Sequence, residues 1–191
     1  IVLLYGINAS SAMEAMLRKL KVPYLYMGEY LEPSPLGRAE WIVAIAELTG
    51  CRDVGEAVFG QIKTRYQHLA DAVPDNVDRP KVMLNTPYGD TWYMASRGTA
   101  MAAMIEDAGA EYVYRGNSSN KSLPVDMEEA YILASEADFW LNTGKIGSLE
   151  ELKNTYPKFS GVKSVVTGNV YNCDRRISGN GNDFWESGQV R

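Results

Sequence analysis

The chain has 191 residues, of which 46% are hydrophobic and 23% charged, and a formal net charge of −5. That length can bury the core of one large domain or two small lobes, and no run approaches the roughly 18 apolar residues that a membrane-spanning helix needs. The acidic balance excludes a binder of nucleic-acid phosphates, because such proteins concentrate Lys and Arg.

In chain order, short apolar runs alternate with helical patterns, which predicts an α/β protein with a largely parallel sheet. The chain opens on Ile1-Val2-Leu3-Leu4-Tyr5, a strand with no initiator Met and no export signal before it. It ends as abruptly at Gln189-Val190-Arg191, so the sequence reads as truncated at both ends. Ser11 and Glu14 have capping-box spacing, and Met13, Met16, Leu17 and Leu20 form a helical stripe behind them. Residues 22–27 read as the next strand. Ser34-Pro35 predicts a helix start, with proline where its missing donor costs nothing. Trp41, Ile42, Ile45 and Leu48 supply that helix's buried face, and Gly50 its stop. Asp53 and Glu56 repeat the capping-box spacing. Val54, Val58, Ile62, Tyr66, Leu69 and Val73 then recur every three or four residues, predicting a helix over 53–74 of about 30 Å.

After the turn-rich link 74–80 the alternation restarts. Strands are expected at 81–85, 139–141, 165–166 and 170–172. Helices are expected at 99–108, stopped by Gly109, after Asp126, and from Ser148.

Little in the chain suggests catalysis. Its one histidine, His68, falls midway along the long helix, and Cys51 and Cys173 stand far apart in no metal-ligand spacing. The two cysteines read as unpaired small hydrophobes, with a disulfide as the alternative. The glycines around residues 179–182 are turn chemistry and lack the Lys-Ser/Thr of a phosphate loop. More informative is Pro87-Tyr88-Gly89-Asp90-Thr91-Trp92-Tyr93-Met94-Ala95-Ser96-Arg97-Gly98, between a strand and a helix. Ligand crevices in α/β sheets lie at the carboxyl ends of strands. Tyr88, Trp92 and Tyr93 offer flat apolar area with polar tips, and Arg97 a clamp for carboxylates. The alternative is that Trp92 and Tyr93 pack over the lobe. Tyr5, Asn8, Arg115, Asn117, Asn142 and Trp185 also follow strands or lie in end loops, which makes them further ligand candidates.

Several stretches resemble the class III periplasmic binding proteins, which serve ABC importers for ferric siderophores, haem and cobalamin. They are Glu32-Pro33-Ser34-Pro35-Leu36-Gly37-Arg38-Ala39-Glu40-Trp41 with Gly50 and Arg65-Tyr66, residues 99–109 with Glu111-Tyr112-Val113, and Asp126-Met127-Glu128-Glu129 followed by Asp138-Phe139-Trp140-Leu141. The resemblance implies two α/β lobes joined by one long helix. The N-terminal lobe would be incomplete at 1–52, the connecting helix would span 53–74, and the C-terminal lobe 75–191. It implies a periplasmic or membrane-anchored protein that captures a large metal chelate (siderophore, haem or corrinoid) in the interlobe cleft. The partner would be an ABC permease; neither catalysis nor a resident cofactor is expected. The alternative is a metal- or tetrapyrrole-handling enzyme on a related fold. Tyr5, Tyr93 and Trp185 fall where relatives place ligand-facing aromatics, and Glu128 where they place the acid that docks on permease arginines.

Overall fold

The computed structural model describes residues 1–5, 12–75, 78–144 and 146–172. Strand β1 (Val2–Tyr5) pairs in parallel with β2 (Tyr24–Met27), and α1 (Ala12–Lys19) connects them. Only Leu17 of the α1 stripe is buried; Met13, Met16 and Leu20 are exposed. Ser11, the expected cap, lies outside the described residues. Among the described residues, Tyr24 and Tyr26 each donate a hydroxyl hydrogen bond to Glu14 at 2.7 Å, and Arg18 pairs with it at 2.7 Å.

The Tyr26 and Tyr24 hydrogen bonds, then the Arg18 pair, hold the Glu14 carboxyl down at about 2. A group with a depressed folded pKa adds stability above its unfolded value of about 4.3 and loses it as pH falls toward the folded value. Acid titration followed by circular dichroism should therefore show a loss between about pH 4.3 and 2 that Glu14→Gln removes. An unchanged acid limb in that variant would refute the assignment.

The long helices form by the expected signals, with one exception. Helix α2 (Pro35–Leu48) starts where Ser34 accepts a hydrogen bond from the Gly37 N–H at 2.9 Å, with Pro35 in the first turn. Gly50, at φ 73°, turns the chain out of it. Helix α3 (Arg52–Asp71) is one unbroken helix of 20 residues. The Asp53–Glu56 box does not form, because the helix already begins at Arg52 and Cys51 caps it without a side-chain bond. The predicted stripe is also not buried: Val54 and Leu69 are exposed, Leu69 by 70%. The face of α3 that packs is centred on Gly55, against α2.

A methyl group at Gly55 would lie 2.4 Å from the Ala46 methyl and 3.3 Å from the Ile42 carbonyl. In an open helix Gly→Ala stabilises by about 1 kcal/mol. Gly55→Ala should reverse that sign and destabilise by about 1–3 kcal/mol through overpacking. Chemical denaturation checks it, and any gain in stability would disprove the close approach.

The second sheet carries the core. Strands β3 (Lys81–Leu84), β5 (Glu111–Tyr112), β7 (Phe139–Leu141) and β8 (Val170–Tyr171) stand in the order β5-β3-β7-β8, all parallel. Helix α4 (Ala100–Asp107) is capped by Thr99 and stopped by Gly109 at φ 81°. Helix α5 (Met127–Glu136) is capped by Asp126, and α6 (Leu149–Thr155) by Ser148. Val165-Val166, expected as a strand, closes the four-residue helix α7 (Lys163–Val166).

Three strands fall outside the sequence expectation, β5 and an antiparallel pair. Residues 92–95, taken for loop, form β4 (Trp92–Ala95), antiparallel to β6 (Ser122–Val125). Alternation on β4 turns Trp92 and Met94 inward, both fully buried, and leaves Tyr93 outside. At the amino end of the sheet, Asp138 accepts from the Lys81 backbone N–H at 2.8 Å and pairs with Lys163 at 2.5 Å. The Lys163 ammonium and that N–H hold its carboxyl below the usual range. Tyr66 joins α3 to this half by donating to Asp107 at 2.6 Å.

Candidate ligand-binding site

In an open parallel sheet the crevice forms where neighbouring strands send their connections to opposite sides. That point lies between β3 and β7. The chain leaves β3 toward β5 on one side and leaves β7 toward β8 on the other. Leu84 is level with Leu141, so the two strands end together.

The strand ends are built alike. Asn85 and Asn142 follow the paired leucines, both in the left-handed region at φ 64° and 59°, which asparagine tolerates better than most residues. The Asn142 side-chain amide donates to the Asn85 side-chain oxygen at 2.8 Å. The Asn85 backbone oxygen accepts from the Trp140 indole at 2.6 Å, and its N–H donates to Leu141. Thr86 and Thr143 come next, half-buried and buried respectively. Sequence reasoning noted Asn142 but passed over Asn85, Thr86 and Thr143. The repeated tripeptide Leu-Asn-Thr at 84–86 and 141–143 was the available signal.

The expected ligand residues separate into groups. Tyr88 is 83% exposed, on a tight turn in which Tyr88 and Thr91 exchange backbone hydrogen bonds around Gly89 at φ 60°. Tyr93 is 51% exposed and sits opposite Pro124. Trp92 requires a correction, since it is a core residue. It is 0% exposed, its ring lies 5.3 Å from Trp140 and 5.4 Å from Phe159, and its indole donates to the Leu84 carbonyl at 3.0 Å. Arg97 pairs with Glu106 at 3.8 Å, and Arg115 with Glu111 while also donating to the Tyr112 carbonyl. Both guanidinium groups are half-exposed and already have carboxylate partners.

Tyr5 ends β1 in the first sheet, exposed and tilted against Tyr30 at 5.2 Å between ring centres. Asn8 and Trp185, with Cys173, lie outside the described residues. Among the described residues no group of His, Cys, Asp and Glu could hold a metal ion, and no helix is long and apolar enough to cross a membrane. A shallow depression on α3 is lined by Ala57, Gly60, Gln61, Thr64 and Arg65. None of its side chains is a candidate for the crevice.

Glu128 is exposed in the first turn of α5. Asp126 accepts from the backbone N–H groups of both Glu128 and Glu129 at 2.9 Å, so the helix end is capped without the Glu128 carboxylate.

The family described as "Periplasmic binding protein" matches residues 18–177. An uncharacterized lipoprotein of Methanocaldococcus jannaschii is 23% identical over 180 residues, covering 93% of this chain and 41% of that protein. The periplasmic haem-binding protein HutB of Vibrio cholerae superposes with a TM-score of 0.68 at 19% identity, over 91% of this chain and 67% of that one. An ABC-type Fe3+-hydroxamate transport protein from Saccharomonospora viridis also gives 0.68, at 16% identity, over 89% of this chain and 60% of that one. The chain thus spans less than half the length of the curated relative it matches.

Proposed function

The chain belongs to the periplasmic binding protein family, and from that membership we propose that it captures a metal chelate and hands it to an ABC permease. The fold is the family's two-lobed α/β arrangement, with α3 as the connecting helix and the N-terminal lobe incomplete in this chain. The observation that carries the proposal is the β3/β7 switch point, with Tyr88 and Tyr93 exposed in the segments that follow β3. The lobe boundaries near residues 52 and 74 belong to the proposal. So do delivery without catalysis, the Glu128 docking role, and a periplasmic or membrane-tethered location, for which the lipoprotein relative speaks.

The ligand is of the haem, ferric-siderophore or cobalamin class. Haem and Fe3+-hydroxamate proteins on the same fold support the first two. Absorbance titration of the protein from its complete reading frame, with hemin, a ferric trihydroxamate and cobalamin, tests this. Saturable one-site binding of one class is expected, and binding of none would refute the proposal.

Tyr93→Ala should weaken that binding by about 1–3 kcal/mol, as for an aromatic anchor that becomes desolvated. Its side chain lies outside the core, so melting should barely change. Unchanged affinity would show that Tyr93 is a bystander.

A further inference from the structure

We propose that the two Asn-Thr steps at the ends of β3 and β7 form a hydrogen-bonding ledge for carbonyl-type oxygens on the ligand. The ledge rests on the binding-protein reading above and adds a chemical preference to it. Three observations carry it.

The first is position. Asn85-Thr86 and Asn142-Thr143 occupy matching places on adjacent strands at the switch point, since Leu84 pairs with Leu141. The second is rigidity. Both asparagines hold a left-handed backbone, and three hydrogen bonds fix the step: Asn142 to Asn85 through side chains, Trp140 to the Asn85 carbonyl, and the Asn85 N–H to Leu141. A site on locked strand ends keeps its geometry better than one on a free loop.

The third is unused donor capacity. Among the described residues, the Thr86 and Thr143 hydroxyls and the second hydrogen-bonding end of the Asn85 amide, its nitrogen, engage nothing. These are neutral donors, and the cations Arg97 and Arg115 are already paired with Glu106 and Glu111. Neutral donors suit oxygens whose charge is absent or spread out, such as the carbonyl oxygens of an amide or hydroxamate or a delocalised carboxylate. A bare cation would find little here.

The test uses the protein from its complete reading frame, titrated with hemin and with a ferric trihydroxamate. These two probes present carboxylate and hydroxamate oxygens respectively. Thr86→Val and Thr143→Val keep the branched shape and remove only the hydroxyl, while Asn85→Gly keeps the positive φ and removes the amide. Each single variant should raise Kd for the bound probe about 3- to 10-fold, as for one lost neutral hydrogen bond. The melting temperature should hardly move for the two threonine variants and fall slightly for Asn85→Gly, which also loses the Asn142 hydrogen bond; the probe that is affected identifies the oxygen source. Unchanged Kd in all three variants, with wild-type binding intact, would overturn the ledge and leave the binding function standing. Affinity lost only in proportion to melting temperature would show a structural role and also overturn it. Failure of the wild type to bind either probe would overturn both readings.

Discussion

Trp92→Ala is expected to destabilise the chain by about 3–5 kcal/mol, the range for deleting a large buried aromatic. That is a large share of the roughly 5–15 kcal/mol that holds a domain together. Two losses combine. The indole fills the space between Trp140 and Phe159, so its removal leaves a cavity bordered by rings that cannot collapse far. It also donates to the Leu84 carbonyl at 3.0 Å, next to the switch point, and a buried acceptor without its donor adds about 1–3 kcal/mol. Trp92→Phe separates the two, since it keeps most of the ring and drops the donor. Urea unfolding followed by circular dichroism should place Trp92→Phe between wild type and Trp92→Ala. If Trp92→Ala lost less than about 1 kcal/mol while ligand affinity collapsed, Trp92 would be a ligand contact after all.

The contrast between Trp92 and Tyr93 shows where sequence reading reaches its limit. Adjacent aromatics after a strand read as a ligand-facing loop. A four-residue strand among turn residues is too short for its alternation to be visible, and its partner, Ser122–Val125, contains a proline that argues against a strand. Once β4 pairs with β6, period-two alternation sends one aromatic inward and the other outward.

Signals set by backbone chemistry were legible. Ser34, Asp126 and Ser148 cap the helices they were expected to cap, and Thr99, read as a helical residue, is also a cap, because a side-chain oxygen at that position satisfies free N–H groups wherever the helix lies. The stripes of α1 and α3 were legible as periodicity, whereas the buried face expected of α2 holds only in part, since Ile45 and Leu48 are exposed and Ala46 is the buried residue. A stripe records what a helix face could pack against, and among the described residues nothing covers Met13, Met16, Val54 or Leu69. Val165-Val166 shows the opposite error, where β-branched propensity yielded to a tertiary contact between α7 and α5. The switch-point asparagines were hidden for another reason. Asn-Thr before Pro or Gly is common turn chemistry, and only the pairing of Leu84 with Leu141 shows that two such steps stand side by side.

Glu128→Arg should abolish most ligand uptake through the cognate permease and leave ligand affinity intact. The family resemblance places Glu128 where relatives carry a docking acid, and the structure shows its carboxylate exposed, with no hydrogen bond or ion pair among the described residues. The competing role is local, because a carboxylate in a first turn complements the helix dipole. That role is already filled, since the Asp126 carboxylate accepts from both free N–H groups at 2.9 Å and Glu129 adds a second acid to the same turn. Losing one exposed dipole contact shifts stability by only about 0.3–1 kcal/mol. Charge reversal at a docking rim changes the encounter itself, where like charges disfavour the bound orientation by several kcal/mol. Glu129→Arg is the internal control, because it alters helix dipole and net charge by the same amount one residue away. Uptake by the complete protein with its permease in proteoliposomes should fall much further for Glu128→Arg than for Glu129→Arg, with both melting close to wild type. Equal uptake by the two variants would assign Glu128 to the helix end, and loss of ligand binding in Glu128→Arg would place it in the crevice.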